Sequence, residues 1–281
     1  PVDRPDGLIR PVMACPGSVD GSPDVTDGGP DAVACKGKQS PLLGAVPNMP
    51  ADPVRGHQVQ RYYTGDLGRG YHGDRHSIPE EAYLWVARQR ARKFMSVVTS
   101  DSIVLEYGVG TGWNLALLQC KQRLGYDVAD FLASQVRAHG VTFVADTKSL
   151  VTGSVDVVIC HHTLEHLAAP FCALSEMHRL LRSGGTLWLS VPYDVRSDGR
   201  RFYPADPHHH LYSWNVQTLA NLVQEVGFKV EQAGLGRFGY DRLAASTSLK
   251  LKLSVPGYRI IWAILQALRP VHEVRLVAKA E

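Results

Sequence analysis

The chain has 281 residues, a formal net charge of +3, and 44% hydrophobic residues, enough for a sizeable core. That length suits one large α/β domain with additions rather than two enzymatic domains, and the mild charge, without Lys/Arg clusters interleaved with aromatics, carries no nucleic-acid footprint. The five cysteines, Cys15, Cys35, Cys120, Cys160 and Cys172, have no short repeated spacing, which argues against a disulfide framework or a complete zinc knuckle and for a reducing cytoplasm.

Residues 1–55 are dense in Pro, Gly, Asp and Ser and lack a sustained hydrophobic period, so they read as a flexible extension. A single folded domain is expected over 56–281: a cover and leading helix over 56–100, a core over 101–235, and a lid-like insertion over 236–272. The leading helix starts at Pro79, with Ala82, Trp85, Val86, Gln89 and Phe94 near helical spacing. Strands and helices then alternate. Strands are predicted over 102–106, 125–128, 141–146, 155–160 and 185–191, with helices over 113–123, 131–139 and 170–181 between them. A helix over 214–226 follows, entered through Ser213 and left through Gly227, and two β-rich segments, 228–232 and 274–278, flank an insertion with an apolar helix over 258–268. The alternation implies a parallel sheet with helices on both faces and a ligand crevice at the strand C-termini. The N-terminus carries no apolar run of signal-peptide type, and the longest apolar stretch, 260–268, is roughly half the length that spans a bilayer. A soluble, cytoplasmic protein is expected.

Glu106-Tyr107-Gly108-Val109-Gly110-Thr111-Gly112 stands between the first strand and the next helix. Bare backbone there lets a ligand come close. Dinucleotide loops read GxGxxG so that a pyrophosphate rests on the helix N-terminus; here the glycines alternate throughout, and a carboxylate two residues upstream repels phosphate and attracts an ammonium. Asp127, at the second strand's end, is placed to accept hydrogen bonds from a ribose diol, and Asp146, at the third, to accept one from an adenine amino group. The competing reading is that these acids merely cap turns.

The segment 103–191 resembles the core of class I S-adenosylmethionine-dependent methyltransferases. Val104-Leu105-Glu106-Tyr107-Gly108-Val109-Gly110-Thr111-Gly112 is similar to their first motif, Asp156-Val157-Val158-Ile159-Cys160-His161-His162-Thr163-Leu164-Glu165-His166 to their fourth-strand motif, and Leu180-Leu181-Arg182-Ser183-Gly184-Gly185-Thr186-Leu187 to the helix, turn and strand that follow. Tyr107 departs from the small or aliphatic residue common there. The resemblance implies a Rossmann-like, mostly parallel seven-stranded α/β sheet with strand 7 antiparallel and a helical insertion between strands 6 and 7. It further implies S-adenosylmethionine as cofactor, with S-adenosylhomocysteine as product. The cofactor would be held by Glu106, Tyr107, Gly108, Gly110, Gly112, Asp127, Val128, Asp146, Thr147, His161 and His162. Tyr63, Tyr71 and His72 resemble an aromatic cover, suited to a cationic sulfonium, and Tyr193, His209 and His210 belong to the acceptor side.

His162-Thr163-Leu164-Glu165-His166 also spells HxxEH, an inverted zinc-protease pattern when it lies within a helix. Here it starts directly from a buried strand, so no metal is expected, and His208-His209-His210 are adjacent side chains that diverge from one ion. His210, and secondarily His162, are candidate proton acceptors for a hydroxyl undergoing methylation. The expected acceptor is a small molecule: a sugar, lipid or secondary metabolite. The apolar face of 258–269 is expected to be core or a homodimer contact, with membrane docking the lesser alternative. The rival readings are a non-catalytic S-adenosylmethionine-binding module and a nicotinamide-dependent oxidoreductase.

Overall fold

The computed structural model describes residues 61–75, 78–193 and 208–281; the expected extension over 1–55, with Cys15 and Cys35, lies outside them. The chain runs through α1 (Gly65–Gly70), α2 (Tyr83–Phe94), β1 (Ile103–Tyr107), α3 (Trp113–Ala116), β2 (Gln122–Tyr126), α4 (Ala133–Ala138), β3 (Thr142–Val144), β4 (Val155–His161), α5 (Pro170–Leu180), β5 (Leu181–Pro192), α6 (Val216–Glu225), β6 (Phe228–Arg237), α7 (Asp241–Lys250), α8 (Val255–Leu268) and β7 (His272–Ala280). The seven strands form one sheet in the order β3-β2-β1-β4-β5-β7-β6. β1 to β5 pair in parallel, and β7 runs antiparallel to both β5 and β6. The expected fold, its reversed strand 7 and the helical insertion are all present. The order reverses between β1 and β4, so their C-terminal ends open the crevice in which α/β sheets hold ligands.

Both sheet faces are covered, which is why the central strands are apolar at successive positions rather than alternately. Val104, Val157, Ile159 and Trp188 pack with Phe94 of α2, Leu115 of α3 and Val136 of α4. The intervening residues Leu105, Val158, Cys160, Leu187 and Leu189 pack on the other face with Leu174 and Met177 of α5 and Leu219 and Val223 of α6. A third cluster joins Val86 of α2 to Ala244 and Ala245 of α7 and Tyr258 of α8, and Arg90 donates to Asp241 Oδ2 at 3.2 Å across the same seam. The insertion is therefore packed on α2 along one side. Its other side turns Ile260, Ile264 and Leu268 to solvent, a stripe at four-residue spacing. No helix among the described residues is long and apolar enough to cross a membrane.

The largest departure from the predicted elements is the helix over 113–123, which stops at Ala116. Sheet register overrides helical propensity here: Gln122 pairs with Ile103, and Lys121 N–H already donates to the Ser102 carbonyl at 3.0 Å, so β2 begins where the helix was to continue. β6 and β7 exceed their apolar cores for a similar reason, since antiparallel pairing carries them to Arg237 opposite His272. The helix expected from 214 starts at Val216 behind Asn215, not Ser213. Asn215 Oδ1 accepts from Thr218 N–H at 2.8 Å while the Thr218 hydroxyl is the partner of Asn215 N–H, a reciprocal capping box. Asn215→Ala is expected to lower stability by about 1 kcal/mol, seen as a reduced urea midpoint with an unchanged denaturant slope.

Candidate active site

Three glycines shape the loop after β1. Gly108, Gly110 and Gly112 have φ of 84°, 51° and 85°, values that strongly favour glycine. At Gly108 a Cβ would run into the Thr163 side chain, whereas one at Gly110 would find nothing nearer than His72 Cε1 at 4.0 Å. The loop thus packs on the β4 exit at its first glycine and is bare toward the crevice at its second. Gly108 and Val109 N–H donate to the Tyr126 carbonyl at 2.8 and 2.9 Å, which ties the loop to the end of β2. From the other side, His139 Nδ1 lies 2.8 Å from the Thr111 carbonyl and its ring lies 4.0 Å from that of Trp113, which stacks on Tyr83.

The acids divide in role. Asp127 follows β2 and accepts backbone N–H bonds from Gly110 at 2.8 Å and Ala129 at 2.9 Å, one on each oxygen. A carboxylate has about four lone-pair sites, so each oxygen retains acceptor capacity for a diol. Asp146 is exposed and caps the turn Thr147–Ser149, accepting from Lys148 N–H at 2.9 Å. Glu106 is fully buried beneath the loop; its Oε1 accepts from Asn114 Nδ2 at 2.5 Å, while Oε2 and Asn114 Oδ1 have no partner. Burial pushes the Glu106 carboxyl up to about 8, against the opposing pull of the Asn114 hydrogen bond. Two unpartnered buried acceptors under a bare loop fit a ligand that brings a donor, as the ammonium of S-adenosylmethionine would. Val128 and Thr147 stand beside their acids, half-buried and buried respectively, and Tyr107 is half-buried against Tyr126 on the α5 face.

Tyr63, Tyr71 and His72, the residues expected to form an aromatic cover, make a chain of ring contacts. His72 reaches over Gly110, and burial lowers its pKa while the charge of Asp127 raises it. Tyr71 meets His72 at 5.2 Å and Tyr63 at 5.1 Å, and Tyr63 meets His166 at the same separation. Tyr193 is half-buried just past β5, its N–H donating to the His272 carbonyl at 3.0 Å.

The histidines fall into two clusters. His161 and His162 stack at 4.4 Å and gather at Glu273 of β7. His162 Nε2 lies 2.7 Å from Glu273 Oε2, Lys93 Nζ donates to Glu273 Oε1 at 3.0 Å, and Arg275 Nε donates to the same oxygen at 2.5 Å. Glu273 is fully buried. Burial alone would raise its carboxyl, but the His162 hydrogen bond and the Lys93 charge outweigh that and hold it far below the usual range. His162 reaches this position at φ 53°, a left-handed conformation uncommon outside glycine. The second cluster, Glu165, His166 and His210, forms where the segment after residue 207 returns: Leu211 and Tyr212 N–H donate to the Glu165 carbonyl at 2.9 and 3.3 Å. His210 meets the His166 ring at 4.8 Å, and His209 stacks on Tyr62 at 3.7 Å. Burial, followed by the neighbouring His210, pushes His166 down to about 3, and burial raises Glu165 to about 8.

A family model described as a methyltransferase domain matches residues 81–233, which span the leading helix, the glycine loop and the β4 exit. The chain belongs to that family. A Mycolicibacterium smegmatis protein assigned as an S-adenosylmethionine-dependent methyltransferase is 32% identical over 171 residues, 57% of this chain and 65% of that one. A Mycobacterium tuberculosis protein with the same assignment is 30% identical over 147 residues, 50% and 53% of the two chains. A ubiquinone biosynthesis O-methyltransferase of Xanthomonas oryzae is 35% identical over 103 residues, 31% of this chain and 42% of that one. The chain thus spans between about two fifths and two thirds of the length of these curated relatives. Among solved structures, a Bacillus halodurans protein assigned as a methyltransferase aligns with TM-score 0.51 at 17% identity, covering 68% of this chain and 99% of that one. One from Galdieria sulphuraria, assigned as a sarcosine dimethylglycine methyltransferase, aligns with TM-score 0.52 at 12% identity, covering 72% and 86%. At such identities both likenesses concern the fold of the methyltransferase domain.

Asn114, Thr163, Lys93 and Glu273 escaped the sequence reading. Asn114 sits on the predicted helix just past the glycines and could have been paired with Glu106; nothing in the sequence joins Lys93 to Glu273, 180 positions on. Glu273→Ala leaves the Lys93 ammonium without its main counter-charge and is expected to cost about 3–5 kcal/mol, measured by urea unfolding at neutral pH. A second expectation concerns Glu106. Its raised carboxyl gives stability that is complete below the ordinary carboxylate range and is lost as pH rises through about 8. Glu106→Gln does not titrate, so its melting temperature should gain on the parent steadily across that window without added ligand; a pH-independent difference would refute the burial argument.

Proposed function

We propose that this chain transfers the methyl group of S-adenosylmethionine to a hydroxyl oxygen of a small molecule such as a sugar, lipid or secondary metabolite. One observation carries the reading: the alternating-glycine loop is bare at Gly110 and clipped there to Asp127, so close backbone approach and a carboxylate for a ribose diol occur at one point of the crevice. Asp127 would take the diol, Glu106 with Asn114 the amino acid end, and Asp146 with Thr147 the base. Bound S-adenosylmethionine supplies an already activated methyl group, so the protein's part is chiefly positioning and exclusion of water. Tyr63, Tyr71 and His72 serve as the cover. Of the two candidate proton acceptors, His210 remains the better placed, because His162 Nε2 is engaged with Glu273; His161 shares that cluster and would contact a ligand through its backbone. Oxygen as acceptor atom draws support from the buried, neutral His166 beside His210 and from the printed activity of the Xanthomonas relative.

S-adenosylmethionine and S-adenosylhomocysteine should each raise the melting temperature of the full chain while NAD does not, and Asp127→Ala should diminish that rise more than Asp146→Ala, whose carboxylate is exposed. Equal responses to NAD, or none to S-adenosylmethionine, would sink the reading. A screen for S-adenosylhomocysteine release across hydroxyl, amine and lipid acceptors then tests the choice of oxygen.

A further inference from the structure

The HxxEH segment leaves β4 in two directions, and each end joins a triad whose ligand atoms lie within 4.8 Å of one another: His161, His162 and Glu273 in one, Glu165, His166 and His210 in the other. The two differ in charge balance. In the first, Lys93 and Arg275 already supply cationic nitrogen to the carboxylate. In the second, Glu165 is 1% exposed and neither of its oxygens has a hydrogen-bond partner, although a buried carboxyl normally costs several kcal/mol, on the order of 1–3 for the lost hydrogen bonds alone. Among the described residues no Lys or Arg pairs with it.

The neighbouring ring is held in place from its Nδ1 side. The Tyr63 hydroxyl donates to the His208 carbonyl at 3.2 Å and lies 2.7 Å from His166 Nδ1. His166 Nε2 lies 3.7 Å from Glu165 Oε1. An imidazole and a buried carboxyl thus stand close together, with His210 as a third ligand residue held near by the main-chain bonds from Leu211 and Tyr212 to Glu165. Metal-bound histidines characteristically donate their other ring N–H to a neighbouring acceptor. We propose that Glu165, His166 and His210 bind a divalent first-row transition metal, zinc by ligand type, with Tyr63 orienting His166 and at least one coordination position left open.

This revises the expectation that no metal is held, and the reason is geometric: His208, His209 and His210 do diverge, but only His210 is needed, because the HxxEH segment supplies the other two ligands without being one helix. Ring contacts join the triad to His72 beside Gly110: Tyr71 meets His166 at 6.5 Å and His72 at 5.2 Å. Resting on the methyl-transfer reading, the ion's role is to bind the acceptor hydroxyl and lower its pKa: the O–H bond breaks, the proton passes to bulk water, and the oxygen keeps the electron pair with which it attacks. His210 is then a ligand rather than the base.

Full-length protein stripped with a chelator and titrated with zinc alone, by calorimetry near neutral pH, tests the site without any cofactor. One equivalent of zinc should be lost, or bound at least about tenfold more weakly, in Glu165→Gln and His210→Ala, and retained in His178→Gln, which lies on α5 away from the triad. Cobalt substituted for zinc should give visible bands that shift in Tyr63→Phe, a variant that retains all three ligands and should weaken zinc about tenfold. Circular dichroism checks that each variant is folded; if the ligand variants are not, Tyr63→Phe decides. No zinc bound by the parent, or the same zinc bound by these variants, overturns the proposal. Zinc binding without an S-adenosylmethionine thermal response would keep the site and discard its role in methylation.

Discussion

A buried carboxylate organises this domain's crevice. Glu273 lies in β7, the strand that runs against the direction of its neighbours, and it is fully enclosed. Its charge is tolerable only because α2 contributes Lys93, the β4 exit contributes His162, and β7 itself contributes Arg275. A charge in that position must be paired or it would not be retained. The pairing joins the leading helix, the central strand and the reversed strand at one point. It also consumes two of the histidines that would otherwise look available for chemistry.

That consumption decides the rest of the site. With His162 turned to Glu273 through a left-handed backbone conformation, the chain at Thr163 crosses under the glycine loop, close enough to Gly108 that no side chain could stand there. Beyond the same turn, the His166 ring meets that of His210 at 4.8 Å. The packing of the loop at Gly108 and the meeting of His166 with His210 thus both lie just beyond this one local conformation after β4. Asp127 completes the frame by clipping the loop to β2 through Gly110.

The burial of charge follows a division of labour. Glu273 is neutralised by protein cations, and its carboxyl stays ionised far into acid. Glu106 and Glu165 have no such cations in hydrogen-bond contact, and burial raises both to about 8. Both lie along the crevice, one under the loop and one beside the cover. Carboxyls whose titration burial has displaced in this way concentrate at functional sites.

Much of the frame was legible in the residues. Apolar runs such as Val155 to Cys160, bounded by turns and alternating with amphipathic helices, determine a parallel sheet because each strand must be buried on both faces. Glycines at alternate positions determine a bare loop, and acids near successive strand ends point to a nucleoside. These are local properties, carried by a few neighbouring positions. The sequence could not show that helix 113–123 would yield to β2 at Ala116, because that outcome depends on the register of Gln122 with Ile103. Nor could it show that Asp146 caps its own turn while Asp127 grips the loop. The fate of HxxEH was likewise undecidable from spacing: a helix would put its ligands on one face, whereas here one His goes to Glu273 and the Glu and second His go to His210. Only the fold brings residues 93, 162 and 273 together, because the electrostatic cost of burying Glu273 is met by side chains that no local pattern connects.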